Sequence, residues 1–177
     1  MILDRLFRPR AAQEAGRALY AAAVAEARQP RFYAELGAPD TPEGRFELYT
    51  LHVLLLIERL RGQGQPAAEA SQALFDTYLS ALDHGLRELG VGDTSVGKKM
   101  RRLGEAFYGR GKSYDAALAA LPDEAPLAAF LARTAFEGAA GGRPEALAQD
   151  LLAKRTALAA QPLQDLLSGR ITWEMRA

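Results

Sequence analysis

The segment closest to a catalytic motif is residues 92–99, GDTSVGKK, which fits the first seven positions of a phosphate-binding P-loop. The eighth position of a P-loop holds a Ser or Thr hydroxyl that binds magnesium, and here it holds Lys99. A P-loop also follows a β-strand, whereas the preceding residues 86–89 have helical character. The segment therefore does not predict nucleotide hydrolysis. Free amides at a helix start beside Lys98 and Lys99 still suit an anion such as a partner's carboxylate or a lipid phosphate.

Other residue types that could do chemistry lack suitable partners. His52 and His84 fall on different predicted helices without metal-ligand spacing, so we interpret the first as a buried, hydrogen-bonded imidazole and the second as a surface residue. Asp76, Asp83 and Glu88 lie on a polar helix face, where carboxylates are usually solvated. The chain has no cysteine, which excludes disulfides, thiolate metal sites and a cysteine nucleophile. We predict no catalytic, cofactor-binding or metal-binding residue, and hence a protein that is not an enzyme.

One local charge imbalance remains, between residues 98 and 112, where the sequence has six basic residues and one acidic residue, Glu105. A solvated helix face explains such a cluster equally simply. However, Tyr108 and the neighbouring glycines favour contact with a partner, because an aromatic beside arginine suits a binding hot spot. The predicted partner-binding residues cluster around one turn and the helix start after it. They are Arg87, Asp93, Lys98, Lys99, Arg102, Tyr108 and Arg110.

Helices must position these residues, because Ala and Leu abound while Val and Ile are few. We predict an all-α, compact single-domain bundle of about six to eight helices. Residues 1–10 form an N-terminal extension and residues 11–177 the helical domain. The first helix should span residues 11–27 and end before Pro30, followed by a short helical turn over residues 31–36.

The central helix should start at Thr41, which can cap exposed amides, with Pro42 in the first helical position. It is apolar nearly all round, so it should lie in the middle of the bundle. The next helix, residues 67–89, has a buried stripe predicted from its spacing: Phe75, Tyr78, Leu79, Leu82, Leu86 and Leu89. Ser95 should then cap a helix that buries Val96, Met100, Leu103 and Phe107. Gly109 and Gly111 either kink this helix or divide it.

Net charge and hydropathy bear on the partner class. Lysine plus arginine and aspartate plus glutamate are equal at 22 each, which gives no long-range field for DNA. The most apolar stretch, residues 51–57, is far shorter than the roughly 20 residues that a membrane span requires. The terminal residues 1–10 mix apolar and arginine side chains, which leaves a peripheral membrane-binding adaptor without catalytic activity as an alternative function.

Several stretches, taken together and in order, resemble the ubiquinol-cytochrome c chaperone family of mitochondria and alphaproteobacteria. The stretches are residues 40–48, 51–52, 72–76, 86–93, 96–99 and 106–110. The resemblance spans about residues 31–121, and the flanks agree only in their helical character. Because no mitochondrial presequence is evident, the sequence is typical of a bacterial member.

The resemblance implies a helical chaperone that binds newly synthesised cytochrome b during biogenesis of respiratory complex III. It implies nascent or newly inserted cytochrome b as the client, with the ribosome or a small partner protein as further contacts. It implies no cofactor. For a bacterial member we expect a cytoplasmic location at the inner face of the membrane, with peripheral membrane contact, and for eukaryotic relatives the mitochondrial matrix side.

Overall fold

Every regular element in the described residues is an α-helix, which confirms the predicted all-α single-domain bundle. The computed structural model describes residues 2–88, 90–137, 139 and 141–174, with the backbone alone for residues 2–9, 93 and 94. Eight helices occur in this part of the chain. They are α1 (Ile2–Ala27), α2 (Pro30–Ala34), α3 (Pro42–Leu60), α4 (Gln65–Glu88), α5 (Asp93–Ala119), α6 (Ala125–Thr134), α7 (Pro144–Ala160) and α8 (Leu163–Leu167).

The start of α3 follows from local chemistry, as predicted. Thr41 has an extended backbone, and its hydroxyl oxygen accepts a hydrogen bond from the Gly44 amide at 3.1 Å. Pro42 occupies the first helical position, where its missing N–H costs no helical hydrogen bond. A Cβ on Gly44 would lie 2.1 Å from the Pro39 carbonyl oxygen, so the chain entering α3 passes too close for any side chain at this position. These residues fix where the central helix begins.

Helix α3 is buried on almost every side, as predicted for a helix that is apolar nearly all round. It packs against α1, α4 and α7. Its buried residues cover all faces of the helix: Gly44, Glu47, Leu48, Thr50, Leu51, His52, Val53, Leu54, Leu55, Leu56 and Leu60. Glu47, Thr50 and His52 are the polar members, and each needs a partner inside the protein because a buried polar group without one is costly.

Helices α4 and α5 form a hairpin that differs from the sequence prediction at its tip. The Gly92 carbonyl accepts hydrogen bonds from the amides of Ser95 at 2.9 Å and Val96 at 3.1 Å, so α5 begins at Asp93. The predicted Ser95 cap is therefore wrong, since Ser95 lies inside the first turn. Helix α5 continues without interruption through Gly109 and Gly111, which settles the open question of a break.

The predicted buried stripe of α4 is correct only in part. Tyr78 is fully buried, but Phe75, Leu79, Leu82 and Leu86 are half-buried, and Leu89 lies outside the described residues. Val96 and Phe107 of α5 are buried, whereas its Met100 and Leu103 are half-buried. The difference has a geometric reason, because the end of a two-helix hairpin has neighbours on fewer sides than the middle of a bundle.

Helix α1 ends at Ala27, before Pro30 as predicted, but begins at Ile2 instead of at about residue 11. Whether residues 1–10 act as a separate extension stays a prediction, because the side chains of residues 1–9 lie outside the described part. Helix α1 packs most closely against α4. A Cβ on Gly16 would lie 2.5 Å from the Ala73 carbonyl carbon, so this contact requires a residue without a side chain.

Two glycine substitutions test this packing. Gly16→Ala should lower the free energy of unfolding by about 2 kcal/mol, because the added methyl forces α1 and α4 apart. Gly85→Ala, inside α4, is the matched control, since its Cβ would meet nothing within 4 Å. The control should raise the free energy of unfolding by about 0.5–1 kcal/mol through its better helix propensity. Urea denaturation measures both, and effects of the same sign would contradict this packing.

Candidate partner-binding surface

The exposed side of α5 carries cations that the fold does not use. Arg101 and Lys112 are exposed in the same way as the predicted Lys98, Lys99 and Arg102. Among the residues with described side chains, none of these five forms an ion pair. Most other arginines of the described part are bonded to a carboxylate, a hydroxyl or a backbone carbonyl, as Arg59 is to the Leu158 carbonyl at 2.8 Å. Unused positive charge is therefore concentrated on α5.

Helical spacing arranges these cations in rows. Each residue turns the helix by about 100°, so residues separated by three, four or seven positions share a face. Lys98, Arg102 and Glu105 form one row, and Arg101, Tyr108 and Lys112 form a second row beside it. The two rows cover the side of α5 opposite Phe107, whose ring is buried. Four cations and one carboxylate in these rows thus face solvent near the α4–α5 tip and the middle of α5.

The predicted site residue Arg110 points elsewhere. It lies on the flank of α5 that packs near α3, where its guanidinium donates two hydrogen bonds to the Glu47 carboxylate. Arg110 also lies over the Phe46 ring at 5.6 Å. The Glu47 side chain is only 4% exposed and that of Arg110 25% exposed. Arg110 therefore joins α5 to α3 and can reach a partner only with its exposed edge.

The sequence analysis missed the role of Glu47. Burial raises the pKa of Glu47 above its ordinary value, while the hydrogen bonds and charge of Arg110 act in the opposite direction. The sequence did contain a signal for this role, since Glu47 interrupts the apolar surface of a central helix. A buried carboxylate of this kind needs a cation as its partner inside the protein. Nothing local identifies Arg110 as that cation.

Arg87 and Asp93 flank the turn between α4 and α5, as predicted. The Arg87 guanidinium donates to the Asp83 carboxylate at 2.7 Å, one turn earlier on α4, and the side chain is 48% exposed. Asp93 provides the first residue of α5, and its side chain lies outside the described part. The structure therefore places both residues at the hairpin tip with Lys98 and Lys99, away from Arg110.

Tyr108 is the most exposed large hydrophobic side chain of the described residues, at 67%. Its ring lies 5.7 Å from the Phe75 ring and 6.0 Å from the Phe107 ring. Beside it an open groove of about 360 Å³ runs between α3, α4 and α5, lined largely by apolar side chains. We call this feature the Tyr108 groove. The predicted site thus includes an apolar element next to its cations.

His52 is buried and hydrogen-bonded, which confirms the interpretation from sequence. Its Nδ1 lies 2.8 Å from the Leu48 carbonyl oxygen, and its ring contacts those of Phe32 and Trp173 edge-on at 5.4 Å each. Burial lowers the pKa of His52 from 6.5 to about 4. The imidazole is therefore neutral near pH 7 and packs as part of the core. His84 is exposed, as predicted, with Glu88 at 3.3 Å.

A second buried charge cluster lies next to Phe32 and ties α7 to α1 and α2. The Lys154 ammonium, 2% exposed, lies 2.9 Å from a Glu26 carboxylate oxygen and 3.0 Å from one of Asp150. Arg31 bonds to Asp150 at 2.6 Å. Two cations and two carboxylates neutralise one another here, so this cluster holds helices together and leaves no charge for a ligand.

The segment that came closest to a P-loop is helical. Its first residue, Gly92, is the N-cap of α5, and α4 precedes the turn where a P-loop has a strand. No group of three or more His, Asp or Glu residues in the described part could hold a metal ion. Nor is any described helix long and apolar enough to span a bilayer.

The comparisons with known proteins agree with this arrangement. The family model for the ubiquinol-cytochrome C chaperone matches residues 34–173, which is most of the chain. The chain belongs to the ubiquinol-cytochrome C chaperone family. The match extends beyond the resemblance over about residues 31–121, through α6, α7 and α8 to Trp173. The family match therefore covers α3 to α8 and not only the central blocks.

A crystal structure of the Cbp3 homolog from Brucella abortus is similar over nearly the entire chain. The two are 37% identical and superimpose with a TM-score of 0.85, over 99% of this chain and 97% of that one. A comparison with curated protein sequences gives no match. The chaperone family and its fold are thus established for this chain.

The Glu47–Arg110 pair can be tested by breaking one side of it. Arg110→Met leaves a buried carboxylate without a cation, so the free energy of unfolding should fall by about 3 kcal/mol. The double variant Glu47→Leu/Arg110→Met should recover most of that loss, because no charge stays buried. Arg61→Met removes an exposed pair with Asp115 and is the control, with an expected loss below about 1 kcal/mol. Equal losses for Arg110→Met and Arg61→Met in urea denaturation would contradict the structure.

The low pKa of His52 predicts a pH dependence of stability. Between pH 6.5 and about 4 the unfolded histidine binds a proton that the folded one does not. Its contribution is therefore complete above pH 6.5 and is lost as the pH falls to about 4, with a total of about 3 kcal/mol. His52→Gln should remove this component, so its free energy of unfolding should fall less steeply over that range. Parallel slopes for both proteins in urea titrations would contradict a neutral buried imidazole.

Proposed function

We propose that this chaperone binds newly synthesised cytochrome b during complex III assembly, through the exposed face of α5 and the adjoining hairpin tip. Membership of the ubiquinol-cytochrome C chaperone family supports the process, and the unpaired cations of α5 support the surface. The client-binding residues are Arg87, Asp93, Lys98, Lys99, Arg102 and Tyr108, with Arg110 at the border. The protein acts without catalysis, on the cytoplasmic side of the membrane.

The observation that carries the proposal is unpaired positive charge beside an exposed aromatic ring. A newly made membrane protein presents apolar helices joined by polar loops, so its chaperone must contact both kinds of surface. Lys98, Lys99 and Arg102 suit carboxylates and loop carbonyls, which accept their hydrogen bonds. Tyr108 offers a large apolar contact with few rotatable bonds, as hot-spot residues commonly do.

The other contacts expected from the sequence have weaker support. Contact with the ribosome, a small partner protein or the membrane surface stays a prediction, because no described feature is specific to any of them. The alternative of a peripheral membrane adaptor depends on the side chains of residues 1–10, of which those of residues 1–9 lie outside the described part. The α5 surface favours a polypeptide client, since it combines cations with a groove for an apolar side chain.

Charge reversal tests the proposed surface. The variant Lys98→Glu/Lys99→Glu should lower the amount of cytochrome b that co-purifies with the chaperone by about tenfold or more, because attraction becomes repulsion. Arg133→Glu/Arg143→Glu changes the charge equally at exposed positions in α6 and before α7, so it should co-purify cytochrome b normally. The measurement is an affinity pulldown from a bacterium that makes complex III, with quantitative mass spectrometry.

Both variants should keep the thermal midpoint of the parent, which separates loss of binding from unfolding. Equal cytochrome b recovery with the two variants would reject the surface. If no cytochrome b co-purifies even with the parent chaperone, cytochrome b is rejected as the client.

A further inference from the structure

We infer that the Tyr108 groove takes a large apolar side chain from an acidic amphipathic helix of the client. Carboxylates on either side of that side chain then meet Arg101 and Lys112. The inference rests on the proposed function and deepens it, since it specifies which client segment binds and how.

The groove has the form of a side-chain pocket. Ile57 of α3, Ala68 and Phe75 of α4, and Phe107 and Tyr108 of α5 provide its apolar lining. Its volume of about 360 Å³ lies within the range of pockets that bind small groups. Because the groove is open and Tyr108 is 67% exposed at its edge, an apolar side chain entering it removes apolar surface from water on both molecules.

The charges around the groove select an acidic occupant. The lining has one charged residue, Arg61, whose guanidinium lies 3.1 Å from Asp115, and it has no carboxylate. Arg101 and Lys112 lie seven residues before and four residues after Tyr108, on the same side of α5. Neither cation has an ion-pair partner among the described residues. Glu105 lies on the same side, four residues after Arg101 and three before Tyr108, so the carboxylates of the occupant must lie at the two ends and not between them.

The spacing of the two cations describes the occupant further. Arg101 and Lys112 are eleven positions apart, which is about 16 Å along the helix axis. A helix lying along α5 meets both cations when its carboxylates are about eleven positions apart, with the apolar side chain between them. The α5 backbone permits close approach on this flank, because a Cβ on Gly97 or Gly104 would meet nothing within 4 Å.

Peptide binding to the full-length chaperone tests the inference. The probe is a fluorescein-labelled helical peptide of 18 residues with a leucine stripe and two glutamates eleven positions apart. A second peptide has lysines in place of the glutamates, and a third has serines in place of the leucines. Fluorescence anisotropy should show binding of the acidic peptide at least tenfold tighter than binding of either other peptide.

Variants of the chaperone assign the contacts. Tyr108→Ala should weaken binding of the acidic peptide at least tenfold, and Arg101→Glu/Lys112→Glu should reverse the preference toward the lysine peptide. Gly104→Ala should weaken binding without lowering the thermal midpoint. Its added methyl group contacts nothing within the chaperone, but it blocks the approach of the bound helix. Arg133→Glu/Arg143→Glu is the matched control and should leave all affinities unchanged.

The outcomes separate this inference from the proposed function. Equal affinities for the acidic and lysine peptides, no binding at all, or an unchanged affinity for Tyr108→Ala would overturn the inference, even where cytochrome b still co-purifies with the parent. Selective peptide binding without co-purification of cytochrome b would support the groove and reject cytochrome b as the client that fills it.

Discussion

The structure depends on one constraint: α3 is buried on almost every side, so each buried polar side chain on it needs at least one hydrogen-bond partner within the protein. Thr50 shares a 2.8 Å hydrogen bond with Tyr78 of α4, His52 uses the Leu48 carbonyl one turn earlier, and Glu47 takes the guanidinium of Arg110. Breaking any of these pairs leaves a polar group in an apolar interior, which costs more than the bond itself contributes. The surrounding helices are therefore held in particular positions as well as packed.

This constraint also explains why charge is available on α5. Of the cations between residues 98 and 112, Arg110 points toward α3 and forms an ion pair with Glu47. The helical period turns Lys98, Arg101 and Lys112 away from Arg110, on a side of α5 that also carries Glu105. One side of α5 thus packs against the fold through Arg110, and the opposite side is exposed to solvent. The buried Glu47–Arg110 pair fixes how the exposed side is oriented. The proposed function thus assigns client recognition and stability to different residues of the same helix.

Local chemistry explains which parts of the fold could be predicted from sequence. Thr41 and Pro42 specify the start of α3 through their own hydroxyl and ring, and the leucine pattern of residues 51–56 specifies burial. The limits arise from distant contacts. No local rule indicates that Lys154 is buried between Glu26 and Asp150, or that Trp173 lies against His52, because the partners come from separate parts of the chain. Local propensity predicted the wrong N-cap at Ser95, because the Gly92 carbonyl accepts the first helical hydrogen bonds and α5 therefore begins earlier.

The same distinction applies to the surface. Residue types identified the cationic cluster, but only coordinates separate Arg110, which pairs internally, from Arg101 and Lys112, which do not. The Tyr108 groove lay outside sequence reasoning, because α3, α4 and α5 each contribute only part of it.

Site-specific photo-crosslinking in cells that assemble complex III tests the central claim most directly. A benzoylphenylalanine replacing Glu105 lies among the unpaired cations of α5, and one replacing Gln149 lies on the exposed side of α7. We expect newly made cytochrome b to crosslink at position 105 and not at position 149. Crosslinks at position 149 alone would contradict a client surface on α5.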